Sequence, residues 1–231
     1  IARAYVENGA NVFISSRKAH VCDATAEELS KHGKCTSLPF DLSEMAGVEA
    51  LAAALAAKVD KLDVLVNNAG ASWGAPIDEF PESGWDKVMD LNVKSVFFLT
   101  QKLLPLLRAA ASQPSPARVI NIASINGLAP STLETYSYSA SKAGVIMLTR
   151  QMAKRLAGDH ILVNAIAPGP FPSQMMAATL ATAGDAIRAG NPLGRIGQPE
   201  DIAGVAIFLG SRASAYTTGA VVPCDGGTAE V

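Results

Sequence analysis

Six short runs rich in β-branched residues alternate with longer stretches of helical periodicity, and this alternation constrains the fold more than any other feature. The runs are residues 11–15 (NVFIS), 34–38, 62–66 (LDVLV), 118–123 (RVINIA), 161–167 (ILVNAIA) and 220–223. All have the length of strands, and several are mostly apolar instead of alternating. Such runs are buried on both faces, as in a parallel sheet. Residues 22–31, 44–58, 85–110, 136–157 and 200–209 place apolar side chains three and four apart, which predicts helices. Pro199 takes a first helical position, with Glu200 and Asp201 in the first turn. Strands alternating with helices imply βαβ units with right-handed crossovers. The expected class is α/β, a doubly wound parallel sheet. No repeat or linker interrupts it; residues 111–117 (ASQPSPA) form at most a short surface loop. The whole chain, 1–231, is expected to be one domain.

Composition narrows the function. With 231 residues, 49% of them hydrophobic, the chain can bury a full core without staples. A net charge of −2 gives no basic footprint for nucleic acid or an anionic membrane. No run of about 18 apolar residues suggests a bilayer span. Cys22, Cys35 and Cys224, like His20, His32 and His160, are scattered, so neither a disulfide framework nor a metal site is expected. No signal peptide is visible and a cytoplasmic setting is the default expectation. The chain opens on Ile1, inside a helical pattern, so a leader stays open.

In open α/β sheets ligands bind at the carboxyl ends of the strands. There the chain places Asn67-Asn68-Ala69-Gly70, then Ser124, then Pro168-Gly169, and, after the first run, Ser16-Arg17. Tyr138 and Lys142, four apart, share one helix face. A phenol with a pKa of about 10 is a weak acid–base catalyst at neutral pH. A neighbouring ammonium favours its charged form, so the pair can exchange a proton with a substrate oxygen. Alone, such a pair is more often a surface tyrosine over a lysine stem.

The four motifs in this order resemble the short-chain dehydrogenase/reductase family, over residues 1 to about 227. Residues 191–201 (NPLGRIGQPED) and 218–227 (TGAVVPCDGG) fit its C-terminal region. Within the family the chain most resembles 3-oxoacyl-acyl-carrier-protein reductases, in particular the rhamnolipid-biosynthesis type, and so a place in fatty-acid metabolism. The resemblance implies a Rossmann-like fold and a catalytic set of Asn92, Ser124, Tyr138 and Lys142. In that set Tyr138 is the general acid. Lys142 lowers its pKa and holds the nicotinamide ribose. Ser124 steadies the substrate oxygen, and Asn92 kinks its helix and anchors a proton-relaying water. Taken singly, Asn92 could as well cap a helix break, and Ser124 could simply end a strand.

The implied cofactor is NADP(H). Asn67, Asn68, Ala69 and Gly70 would line its adenine ribose and diphosphate side, and Asp41 with Leu42 the adenine. Enzymes that use NAD place an acid at the end of the second strand. Ser16 stands there instead and Arg17 follows, a pair that suits a 2′-phosphate. Pro168, Gly169, Phe171 and Ser173 would wrap the carboxamide, although the family commonly has Thr where Ser173 sits. Residues 171–191 match the substrate lid, with Met175 and Met176 suited to flexible acyl chains; an ordinary packing helix is the alternative. Trp73, Asn126 and Tyr136 join these as substrate candidates. Tyr136 lacks a lysine partner and reads as pocket wall or packing, and Trp85 as packing at a helix start.

The family's first strand and glycine-rich loop have no counterpart in the chain. The resemblance therefore implies an N-terminally truncated sequence, with two sheet edges left unpaired. The expected activity is NADPH-dependent reduction of a ketone to a secondary alcohol, of a 3-oxoacyl thioester above all. Oxidation of another secondary alcohol, in secondary metabolism, uses the same residues. A non-catalytic nucleotide-binding scaffold is the rival from another class. A homo-oligomer, dimer or tetramer, is expected.

Overall fold

The computed structural model describes residues 1–229. Its strands are β1 (Asn11–Ile14), β2 (Lys34–Ser37), β3 (Val64–Asn67), β4 (Ala117–Ile122), β5 (Ile161–Pro168) and β6 (Val221–Cys224). Its helices are α1 (Ala2–Glu7), α2 (Ala19–Leu29), α3 (Met45–Ala56), α4 (Glu82–Met89), α5 (Ser95–Ala110), α6 (Tyr136–Leu156), α7 (Ala177–Ala189) and α8 (Pro199–Gly210). Every strand pairing is parallel. Within each sheet the carboxyl ends therefore lie along one edge, where the turns carrying polar residues collect.

The strands form two sheets, β1-β2 and β3-β4-β5-β6. Among the described residues β1 and β3 do not hydrogen-bond to each other, so each has one free edge. β4 shows how the larger sheet holds its layers. Its residues alternate between faces, as pleating requires. Val119, wholly buried, joins Leu103 and Leu107 of α5, Leu156 of α6 and Leu55 of α3. Ile120, 1% exposed, faces the other way with Ile166, Ala206 and Leu209. Removing one such side chain from water contributes about 1.5–3 kcal/mol.

Burial on both faces holds for β4 and β5 but not for β1 and β2, whose residues are exposed or half-buried. The outer sheet has only two strands, so fewer neighbours cover it. The single helix expected over 85–110 is also corrected. Helix α4 gives way to a π-helical turn at Asp90–Lys94 before α5 begins. One extra residue per turn preserves the apolar spacing on either side, so periodicity alone does not register it. In the segment read as a lid, the chain forms α7.

The short 3-10 turn Ile125–Gly127 packs directly on α6. A Cβ at Gly127 would meet the Lys142 carbonyl carbon at 2.6 Å and Ala143 N at 2.8 Å, both backbone atoms that cannot yield. At Gly144, inside α6, the nearest atom to an added Cβ is Val93 Cγ2 at an ordinary 3.7 Å. Gly127→Ala is therefore expected to cost about 1–3 kcal/mol, whereas Gly144→Ala gains about 0.5–1 kcal/mol from helix propensity. Thermal unfolding of the two variants checks this; equal midpoints would refute the packing argument.

Candidate active site

Ser124 ends the turn out of β4 and is 7% exposed. The strand delivers it there because Ala123 N–H still donates to Ile166 O, after which the chain turns. The Ser124 hydroxyl accepts from Asn126 N at 3.2 Å, capping the 3-10 turn. Tyr138 and Lys142 lie one turn apart in α6. Lys142 Nζ donates to the Ile122 carbonyl at 2.7 Å and stands 5.5 Å from the Tyr138 ring centroid. Burial brings the Lys142 ammonium down to about 8. Burial likewise raises the Tyr138 phenol above its ordinary value, and the neighbouring Ser124 hydroxyl opposes that only in part. The net direction for Tyr138 is the reverse of the one expected from the lysine. The ammonium is turned to a carbonyl, and desolvation dominates at the phenol.

Asn92 occupies the π-turn with 1% exposure. Its Oδ1 accepts from Ala71 N at 2.8 Å, and its Nδ2 donates to Ala71 O at 2.9 Å and to Ser141 Oγ at 2.9 Å. The kink implied for Asn92 is present as this π-turn, and the side chain stitches it to the turn after β3. Gly70 lies beside it. An added Cβ there would be 3.5 Å from Asn92 Oδ1 and 3.7 Å from Lys142 Nζ. The turn after β3, the π-turn, the end of β4 and the start of α6 thus meet at one place.

Asn67 is corrected. It is 5% exposed and donates to Thr100 Oγ1 at 3.1 Å and Asn121 Oδ1 at 2.9 Å. Asn121 in turn donates to Thr149 Oγ1 at 2.9 Å. Asn67 therefore belongs to a buried polar ladder across β3 and β4, not to the cleft. Asn121, Thr149, Thr100 and Ser141 were not anticipated as site supports; a lone Asn inside RVINIA was the available signal. Asn68 is exposed and Ala69 half-buried at the same turn.

At the ends of β1 and β2, Ser16 is half-buried and Arg17 exposed. The Asp41 carboxyl accepts from Ser43 N at 3.0 Å and Ser43 Oγ at 2.8 Å. These bonds, and to a lesser extent the Arg17 charge, hold it below the usual carboxylate range. Arg17 and Asp41 thus share one neighbourhood. Leu42 packs its side chain against the main core.

At the end of β5, Gly169 N donates to Cys224 O, and a Cβ on Gly169 would meet Asp225 Cβ at 2.7 Å. Pro168 beside it is half-buried. The Phe171 ring lies over Gly197, where a Cβ would stand 2.4 Å from it. Ser173 is exposed and its hydroxyl accepts from Met176 N at 3.2 Å, so it caps the turn into α7. Met175 is 46% exposed and Met176 half-buried.

Asn126 is half-buried beside Ser124. Trp73 is seated on α4: a Cβ on Gly84 would come within 2.7 Å of its indole, and Lys87 Nζ stands 5.0 Å from its ring. Tyr136 hydrogen-bonds Glu134 and meets Phe80 edge-on at 5.8 Å. Trp85, expected to be packing, is 41% exposed. With Ile77, Phe80 and Pro81, Trp85 and Tyr136 line a surface hollow outside the Tyr138 turn.

Comparison with known proteins agrees with this geometry. A family model described as enoyl-(acyl carrier protein) reductase matches residues 1–229. A rhamnolipids biosynthesis 3-oxoacyl-[acyl-carrier-protein] reductase of Pseudomonas aeruginosa is 51% identical, over 98% of this chain and 90% of its own. A 3-oxoacyl-[acyl-carrier-protein] reductase of Thermotoga maritima is 34% identical, over 96% of this chain and 89% of its own. Among solved structures, the Pseudomonas aeruginosa RhlG/NADP active-site complex superposes with a TM-score of 0.96 at 51% identity, covering 99% of this chain and 90% of that one. Motif order, π-turn and these likenesses agree, and the chain belongs to the short-chain dehydrogenase/reductase family.

Proposed function

We propose that this protein reduces a ketone to a secondary alcohol with NADPH, acting on a 3-oxoacyl thioester. The observation that carries the reading is the meeting of the Tyr138 phenol, the Ser124 hydroxyl and the buried Lys142 ammonium at the end of β4. The relatives named for 3-oxoacyl-[acyl-carrier-protein] reduction support the substrate class. A bound reduced nicotinamide supplies the hydride. Tyr138 holds a proton at its phenolic oxygen and gives it to the carbonyl oxygen. Ser124 donates a hydrogen bond to that same oxygen and stabilises its developing charge. Lys142 has spent one N–H on Ile122 O, which leaves two for ribose hydroxyls.

The residues present fit the cofactor. Gly70 exposes bare backbone beside Lys142, where side chains would crowd a nucleotide. Arg17 offers a guanidinium at the end of β1 where no acid competes for the ribose. Pro168 and Gly169 close the other side, and residues 171–191 supply the lid over the acyl chain. The enzyme is further read as a homo-oligomer. Phe97 on α5, Met147 on α6 and Phe208 on α8 are 38%, 60% and 41% exposed, apolar side chains that an interface between copies could cover. Sedimentation should give at least twice the subunit mass, and a monomer would refute the oligomer.

Kinetics test the assignment. NADPH oxidation should occur with a 3-oxoacyl thioester, and Tyr138→Phe should lower kcat by about 10²–10⁴-fold. Full activity in that variant, or turnover of an enoyl but not a 3-oxoacyl thioester, would sink the reading. Arg17→Glu should raise KM for NADPH by about tenfold or more and leave that for NADH less changed; equal effects on both would remove Arg17 from phosphate recognition.

The pH dependence follows from Lys142, whose ammonium is present below about 8 and lost above it. The phenol, shifted upward, keeps its proton through that range. So kcat/KM for reduction, which reports the free enzyme, should fall on the alkaline side with an apparent pKa near 8. A flat profile to pH 10 would separate Lys142 from the chemistry.

A further inference from the structure

Ser141 is wholly buried and has no part in the chemistry above. It stands in α6 immediately before Lys142. Its hydroxyl donates to the Tyr138 carbonyl at 2.7 Å and accepts from Asn92 Nδ2 at 2.9 Å. A serine hydroxyl has one proton to give and two lone pairs to receive, so both bonds are made at once. The other Nδ2 proton of Asn92 goes to Ala71 O, and Asn92 Oδ1 receives the Ala71 N–H. One unbroken chain of hydrogen bonds therefore runs from the turn after β3, through the π-turn, into the first turn of α6.

We propose that Ser141 is a positioning residue that sets the Tyr138–Lys142 turn against the Asn92 π-turn and the Gly70-Ala71 turn. Its kinetic consequence rests on the ketoreductase reading, while its geometric consequence does not. Helix formation does not explain the residue, since alanine is the better helix former and a serine bonded to a preceding carbonyl slightly disfavours the helix. What the hydroxyl adds is a partner for Asn92. Without it, one N–H of a side chain only 1% exposed has no acceptor, and a buried unsatisfied donor drives rearrangement. The nearest group to move is Ala71, whose N–H and C=O both depend on Asn92. Gly70, next in the chain, lies within 3.7 Å of Lys142 Nζ when measured from its ideal Cβ. A small shift of the turn therefore changes what Lys142 faces.

The test compares the full protein with Ser141→Ala and Ser141→Thr, the second of which keeps the hydroxyl. In Ser141→Ala, amide exchange at Ala71 should quicken by about tenfold, with Val119 and Val163 in the core unchanged. The kcat for ketone reduction should fall by about tenfold, because misplacement acts on the reacting geometry, and KM for NADPH should rise with it, because the Gly70 turn and Lys142 both face the cofactor. Ser141→Thr should return both readouts toward the parent values. In the Asn92→Ala background, adding Ser141→Ala should cost nothing further, since residues acting through one network are not additive. Unchanged Ala71 protection in Ser141→Ala, or a fully additive double variant, would overturn the proposal. If the parent protein reduces no ketone while Ala71 protection still falls in Ser141→Ala, the ketoreductase reading fails and the positional link stands.

Discussion

A buried ammonium is the constraint around which the rest of the site is arranged. Lys142 is 4% exposed and its pKa falls from 10.5 to about 8. At about 1.4 kcal/mol per unit, that depression amounts to about 3 kcal/mol of penalty on the charged form. A single carbonyl, Ile122 O, offsets part of it. That carbonyl is positioned by β4, which is buried over Ala117–Asn121 between α5 and α8, so the lysine is anchored at the end of a buried strand. A charge held this way stays directional, and its remaining protons are aimed by the strand, not by solvent.

Two hydrogen-bonded frames keep the neighbouring turns in place. The ladder Thr100–Asn67–Asn121–Thr149 crosses β3 and β4 beneath the site and ties their ends to α5 and α6. The bonds of Asn92 to Ala71 do the same one layer higher. Both frames use amide side chains at 5% exposure or less, where an unpaired group would cost about 1–3 kcal/mol. Each tolerates one arrangement, and that is how loops at a strand edge acquire the precision of the sheet below them.

Much of this was legible from the chain. Tyr138 and Lys142 could be paired because helical spacing is fixed at 3.6 residues per turn. Ser124 could be placed because it follows a strand-forming run, RVINIA, at its carboxyl end. The reading of Asn67 went wrong at the strand's alternation. Leu65 and Asn67 share a face, and Leu65 belongs to the main core, so period two already pointed Asn67 inward. The π-turn was invisible to periodicity, and only the family resemblance pointed to a kink there. Trp85 packs edge-on to Phe80 near the start of α4, as read, but hydrophobicity alone could not say that α4 leaves it 41% exposed. The division into two sheets depends on backbone pairing, which no local pattern encodes for β1 and β3, and only the family resemblance pointed to unpaired edges.

The opposite demands on Tyr138 and Lys142 bear on direction. Desolvation acts on both and favours the neutral form of each, so it raises the phenol and lowers the ammonium. Between neutrality and about pH 8, the pair is therefore a protonated phenol beside a charged lysine. That is the state from which a proton can be given to a carbonyl oxygen as negative charge builds on it. On the proposed mechanism the lysine charge then gains value, because the developing phenolate is the anion it can stabilise. For oxidation the starting state must be the phenolate, and the same burial works against it. On the proposed mechanism, burial at the end of β4 thus favours the protonated phenol from which reduction starts.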